Sequence, residues 1–150
     1  MNLGFIGAGK VCHALSFYLK TKHTITGIYS KTFSNANALA QMLGAASYSD
    51  KMQLIKDSQV IFIATSDSQI QLVAEEIALS NMDLSEKSFA HLSGSLSSEI
   101  LDALHCKSAT TFSMHPAQSF SVPSLAIQNL PQTIFTIEGR RNFMQITDEL

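Results

Sequence analysis

A chain of 150 residues points to one domain, large enough to bury about two thirds of the surface its unfolded form exposes. Hydrophobic residues at 45% and charged residues at 15% describe an ordinary globular composition, and a net charge of -2 leaves no basic footprint for nucleic acid or an anionic membrane. The longest purely apolar run, Val60 to Ala64, is far too short to span a bilayer, and the N-terminus has no basic leader. A cytoplasmic protein with neither nucleic-acid nor membrane partners is therefore expected. The two cysteines, Cys12 and Cys106, are distant in sequence and lack metal-ligand spacing. Both read as small packing residues in a reducing compartment, with no metal site.

Leu3, Phe5 and Ile6 read as a buried first strand that runs straight into Gly7-Ala8-Gly9. Val11, Ala14, Leu15, Tyr18 and Leu19 then recur at helical spacing. A strand, a glycine turn and a helix in immediate succession form the phosphate-binding end of a dinucleotide fold. Gly7 allows the tight turn, and Gly9 lets the backbone approach a pyrophosphate lying over the free N–H groups of the helix start. Gly7, Ala8, Gly9, Lys10 and Val11 are thus the expected pyrophosphate-binding residues. The third small position of G-x-G-x-x-G falls on Cys12, so the motif is incomplete.

Thr24 to Tyr29 reads as the second strand, completing a βαβ unit. Its end is where an NAD-binding fold usually carries an acid for the ribose hydroxyl. Here Ser30, Lys31 and Thr32 offer hydroxyls and a cation instead, which suits a 2′-phosphate and favours NADP(H). Thr32 or Ser34 can cap a second helix built on Ala36, Leu39, Ala40 and Leu43, with Gly44 as its stop. A short third strand is expected at Ala45 to Tyr48, and Lys51 to Lys56 reads as a brief helical turn.

Val60 to Ala64 is the best candidate for a central parallel strand. It ends in Thr65-Ser66-Asp67, and Ser68-x-x-Gln71 has capping-box form ahead of Ile70, Val73, Ala74 and Ile77. Thr65 and Ser66 then stand at a strand's carboxyl edge, where such sheets hold their ligands. Asp67 reads as a helix cap in preference to a catalytic acid.

Ser88 to Leu92 is the expected fifth strand, followed by Ser93-Gly94-Ser95 and a helix using Ile100, Leu101 and Leu104. Thr110 to Met114 is the sixth, ending in His115-Pro116. His91 reads as a packed histidine, and His13, His23 and His105 have no partner that sequence supplies. His115 differs because it stands at a strand end before a proline that keeps the chain extended, and an imidazole suits proton transfer near neutrality. Ala117 to Gln132 is polar and carries prolines; Thr133 to Glu138 is a seventh strand, and Arg140 to Leu150 opens a helix on Phe143, Met144 and Ile146. The alternation of strands and helices defines an α/β class, a doubly wound, mainly parallel Rossmann-type sheet with helices on both faces.

Three signatures, GFIGAGKV at residues 4–11, HLSGSLSSEIL at 91–101 and MHPAQSF at 114–120, make the chain resemble a branch of NADP- or deazaflavin-dependent oxidoreductases. These pair a Rossmann-like domain with a helical domain and are related to pyrroline-5-carboxylate reductase, prephenate dehydrogenase and 6-phosphogluconate dehydrogenase. In prephenate dehydrogenases a Gly-Ser segment and a His-Pro segment line the substrate site, the histidine transferring the proton. The resemblance implies the same roles for Ser95, as a substrate-orienting hydroxyl, and His115, as general acid/base. It also implies NADP(H) as cofactor, with a deazaflavin as the open alternative, and a small-molecule carbonyl, imine or hydroxy substrate. The helical domain that closes the site and commonly forms the dimer in those relatives is missing from these 150 residues. Residues 1–150 are accordingly expected to be the N-terminal part of a longer homodimeric protein, with an exposed apolar patch near Phe120 and Phe143. A non-catalytic module that senses NADP(H) is the alternative function.

Overall fold

The computed structural model describes residues 1–140 and 143–150. Asn2–Ile6 (β1), Thr24–Tyr29 (β2), Ala46–Tyr48 (β3), Val60–Ile63 (β4), Ser88–His91 (β5), Thr110–Pro116 (β6) and Phe135–Gly139 (β7) form one sheet in the order β3-β2-β1-β4-β5-β6-β7. Every neighbouring pair is parallel except β6 and β7. The helices are Lys10–Leu19 (α1), Phe33–Leu43 (α2), Lys51–Asp57 (α3), Asp67–Ala78 (α4), Asp102–His105 (α5), Pro123–Asn129 (α6) and Phe143–Glu149 (α7). This is the mainly parallel, doubly wound α/β architecture that the alternating pattern predicts.

The apolar runs have a direct structural cause. In β4, Val60 and Phe62 enter the core shared with Leu15 of α1 and Leu39 of α2, while Ile61 and Ile63 enter the core shared with Leu54 of α3 and Ile70 of α4. A strand covered on both faces has no polar side, so its sequence does not alternate. Phe5 of β1 is in register with Phe62, and their rings stack with centroids 5.0 Å apart. Both are fully buried, each contributing about 1.5–3 kcal/mol by transfer from water. They fasten the place where the strand order reverses, the crevice in which open α/β sheets hold ligands.

Gly44 ends α2 in the left-handed conformation with φ of 67°, as its position suggests. Other local expectations need correction. Ser66, not Ser68 or Asp67, occupies the N-cap of α4, and no side chain caps it, so the Ser68–Gln71 box does not form. Gln71 instead donates to Glu75 one turn on. The polar stretch after His115 contains α6 and a 3-10 turn at Leu130–Gln132; Ala126 and Leu130 bury against Ala14 of α1. Only two or three apolar side chains anchor these elements, too few for a visible helical period. Strand β6 runs through His115 and Pro116 because the antiparallel β7 pairs with them, His115 opposite Thr136. Cys12 is buried as expected, but Cys106 is exposed.

Apolar side chains are exposed near Phe120 and Phe143, as expected, although those two are not the exposed ones. Phe143 stacks on Phe112 at 6.3 Å and Phe120 packs against the small cluster of Ala14, Ala126 and Leu130, so both are half-buried. Val122, Leu125, Ile134, Ile137 and Met144 are large apolar side chains exposed in this region. The helix expected over Arg140 to Leu150 is present as Phe143–Glu149, while Arg141 and Asn142 lie outside the described residues.

Gly7 has φ of +117°, and a Cβ added there would stand 2.4 Å from the Ala64 carbonyl oxygen. Gly7→Ala is expected to destabilise the chain by on the order of 1–3 kcal/mol from backbone strain alone. Urea unfolding measures this, and an unchanged midpoint would refute the constraint.

Candidate functional site

The carboxyl ends of β1, β2 and β4 surround a cavity of about 540 Å³. Ile6, Gly7, Ala8 and Gly9 form its floor, with Ser30 and Lys31 on one side and Ala64, Thr65 and Ser66 on the other. A second pocket of about 370 Å³ shares Gly9, Ala64, Thr65 and Ser66 and continues past Lys10 and Val11 to Asp67, Leu92 and Ser93. The two form one elongated groove across the reversal of strand order.

The glycine turn is shaped for close approach. No heavy atom lies within 4 Å of the position a Gly9 Cβ would take, so that direction is open groove. Gly9 is the N-cap of α1, and no side chain caps the helix start. The first N–H groups of a helix have no intrahelical partners, so this end offers free donors and the positive end of the helix dipole to an anion. The Lys10 ammonium donates to the Ser121 carbonyl at 3.0 Å. It therefore holds the segment before α6 against the glycine turn, and the residue also lines the second pocket. Thr32, the N-cap of α2, is exposed and lines neither pocket, so the structure brings together Ser30 and Lys31 but not the third member of that trio.

Two residues of this end are invisible to pattern reading. Lys51 and Glu76 both line the larger cavity, and their side chains form an ion pair. The Lys51 ammonium also lies 5.8 Å from the centre of the Tyr29 ring. Only the placement of α3 and α4 over the same face of the sheet brings Lys51 and Glu76 together.

At the other end, β5 and β6 are neighbours and parallel, so the Ser93-Gly94-Ser95 turn and His115 emerge at the same sheet edge. The register pairs His91 with Ser113, which places His115 two residues beyond the end of β5 although it is still within β6. Its ring rests on Gly94: a Cβ there would be 2.5 Å from Cε1 and Nε2. Nδ1 of His115 is 3.3 Å from the Leu92 carbonyl. A carbonyl only accepts, so Nδ1 carries the proton and, in the neutral ring, Nε2 keeps its lone pair.

Ser95 Oγ donates to Asp67 Oδ2 at 2.7 Å. Ser93 Oγ lies 3.1 Å from Ser95 Oγ and, because the single Ser95 proton is given to Asp67, acts as the donor in that pair. Asp67 is thus the acceptor at the end of a serine relay spanning the tips of β4 and β5, where the sequence suggested a cap. The hydroxyls of Ser95 and Ser93 hold its carboxyl below the usual carboxylate range.

His91 anchors this arrangement from below. It is fully buried; Nε2 donates to the Ser97 carbonyl at 3.1 Å, and Nδ1 accepts from the Ser93 N–H at 3.2 Å. Both nitrogens are satisfied in one neutral tautomer, and burial pushes the imidazole below its ordinary value of 6.5. The packed role expected from sequence is correct, and the ring also fixes both ends of the serine turn.

The chain belongs to the Rossmann-like domain family, whose pattern matches residues 1–116. Among solved structures it is similar to an inferred NADP oxidoreductase from Bacteroides fragilis, at 22% identity and a TM-score of 0.77 over 95% of this chain and 52% of that one. It is also similar to a pyrroline-5-carboxylate reductase from Coxiella burnetii, at 14% identity and a TM-score of 0.75 over 98% of this chain and 53% of that one. A third likeness is to a reductive aminase from Aspergillus terreus in complex with NADPH and ethyl-5-oxohexanoate, at 16% identity and a TM-score of 0.74 over 99% of this chain and 50% of that one. At these identities the likeness establishes the fold, and the chain spans about half the length of each structure. No curated protein matches it by sequence. Among the described residues no helix is long and apolar enough to cross a membrane, and no cluster of His, Cys, Asp and Glu has the arrangement of a metal site.

Two titrations check the relay. Ser95→Ala is expected to return the Asp67 carboxyl toward its ordinary value of 3.8, read by carboxyl NMR, because the largest bond favouring its charged form is lost. Since His91 is lowered in the fold, the unfolded chain binds more protons as pH falls through 6.5, so stability declines in that direction. His91→Gln should be less stable near neutrality yet lose that acid-side slope; an unchanged slope in thermal melts would assign it to other groups.

Proposed function

We propose that this chain is the NADP(H)-binding domain of an oxidoreductase that moves hydride between a nicotinamide cofactor and a small carbonyl, imine or hydroxy compound. The observation that carries this reading is the single groove. It joins an uncapped helix start at Gly9, a lysine beside the end of β2, and Thr65 and Ser66, and it reaches the Asp67–Ser93 edge beside Ser95 and His115. The open space over Gly9 fits a pyrophosphate that must approach the backbone, and Ser30 with Lys31 fits an adenosine 2′-phosphate. The names of the solved neighbours, one of them an NADPH complex, support the same class.

When bound, the nicotinamide supplies or accepts the hydride. The chain's contribution is to orient and to move a proton. Ser95, held toward Asp67, presents its oxygen lone pairs to a substrate donor group, or its proton to a substrate oxygen once the Asp67 bond is exchanged. His115 keeps Nδ1–H on the Leu92 carbonyl while Nε2 takes up or releases the proton that accompanies hydride transfer. Because Gly94 leaves room for the ring, His115 sits directly beside the serine turn. A deazaflavin is the alternative redox partner of the same groove. The working protein is proposed to be a cytoplasmic homodimer in which a further helical domain covers the substrate end, and the 150 residues alone should bind nucleotide with little turnover. Nucleotide binding without turnover in a full-length protein would favour the non-catalytic sensing module instead.

Calorimetry with the two nicotinamide nucleotides tests the reading. NADPH is expected to bind more tightly than NADH, with Lys31→Ala reducing the difference. Gly9→Val is expected to abolish binding of both while circular dichroism shows the sheet intact, because its side chain would fill the open space over the helix start. Normal affinity in Gly9→Val would place the ligand elsewhere.

A further inference from the structure

The adenosine end of the groove holds more charge than the segment after β2 supplies. Lys31 and Lys51 are the cations lining the larger cavity among the described residues, and Glu76 is the anion lining it. The Lys51 side chain is only 11% exposed, whereas Glu76 is 62% exposed. The lysine is therefore fixed in the wall, and its carboxylate partner stands at the solvent side, free to swing out. Tyr29 packs beside the lysine at 5.8 Å and limits where its ammonium can go. Gln69, Val73 and Glu76 follow one another at helical spacing along α4, so that helix forms the wall facing Lys31 and Ser30.

We infer that Lys51 is a second cation for the adenosine 2′-phosphate, and that Glu76 is its counter-anion until the phosphate arrives and displaces it. This rests on the dinucleotide reading above and adds to it the residues that set the choice between the phosphorylated and unphosphorylated cofactor. A phosphate monoester near neutrality carries a charge of about -1.5 to -2. Two lysines neutralise it, whereas one lysine with an ion-paired neighbour does not. A cofactor without that phosphate offers Lys51 nothing better than Glu76, so the ion pair persists and the wall stays closed. Glu76 thereby lowers the affinity for NADPH while keeping a mostly buried lysine side chain partnered in the absence of ligand, which avoids the cost of an unpaired charge in a partly desolvated site.

The test is calorimetric titration of the 150-residue chain with NADPH and NADH, repeated in Lys51→Ala, Lys51→Arg and Glu76→Gln, with 2′,5′-ADP and 5′-ADP as nicotinamide-free probes. Lys51→Ala is expected to weaken NADPH and 2′,5′-ADP about tenfold or more, the scale of a charge-assisted bond, while moving NADH and 5′-ADP less than about twofold. Retained NADH affinity also reports that the variant is folded. Lys51→Arg should keep the preference. Glu76→Gln should tighten NADPH about threefold, the scale of a surface ion pair, and leave NADH unchanged. Equal weakening of both nucleotides in Lys51→Ala, or no weakening of NADPH, overturns the role of Lys51. Unchanged or weaker NADPH binding in Glu76→Gln overturns the counter-anion role. Failure of the wild-type chain to bind any of the four ligands overturns the dinucleotide reading, and this inference with it.

Discussion

The groove depends on how closely three strand ends are drawn together at one glycine. The Gly7 N–H donates to the Tyr29 carbonyl at 2.7 Å, and the Ala64 N–H donates to the Ile6 carbonyl at 2.8 Å. The ends of β1, β2 and β4 are thereby stitched to one another just where the backbone turns. That stitching requires a positive φ and a face without a Cβ, since the Ala64 carbonyl occupies the space a side chain would need. Everything that lines the groove is placed relative to this point. Ser30 follows β2 by one residue, Thr65 and Ser66 follow β4, and Gly9 begins α1 two residues on.

The end of the groove at Ser95 and His115 is built by a different device, a buried neutral imidazole. His91 ties the turn at Ser93 and Ser97, which sets Ser95 within reach of Asp67 and leaves Gly94 under the ring of His115. A hydrogen-bonded histidine in the core costs little as long as it stays neutral, and in return it fixes a polar loop that has few apolar contacts of its own. The antiparallel β7 serves the same end from the other side. By pairing with His115 and Pro116 it extends β6 beyond the parallel edge of the sheet, so the candidate proton-transfer group stands on a strand. Side chains held on strands keep their geometry better than those on loops.

The sequence was informative wherever burial and backbone geometry impose a local pattern. The two-sided apolar run at Val60–Ile63, the glycine turn after Ile6 and the stop at Gly44 all follow from nearest-neighbour chemistry, and the structure has each of them. It was uninformative wherever a side chain's role depends on which elements become neighbours. Lys51 looks like any lysine opening a short helix until α3 and α4 come to cover the same face of the sheet, and Asp67 looks like a cap until β5 lies beside β4. The segment 117–132 is a third kind of case. Its helix is held by Ala126 and Leu130 against α1, and two small contacts leave no period to read. The composition likewise treated the cysteines as equivalent, although only one is enclosed.

That difference between the cysteines has a chemical consequence. Cys12 takes the third small position of the glycine motif, lies fully inside the core between α1 and the sheet, and burial pushes its thiol far above the ordinary range. Oxidants and electrophiles act on the thiolate, and a thiol whose ionisation is disfavoured by burial and which no reagent can reach is protected from both. Cys106, exposed after α5, is open to such reagents. The chain therefore confines its accessible thiol chemistry to a position far in sequence from the glycine turn: a maleimide dye will mark Cys106 and leave the turn beside Cys12 untouched.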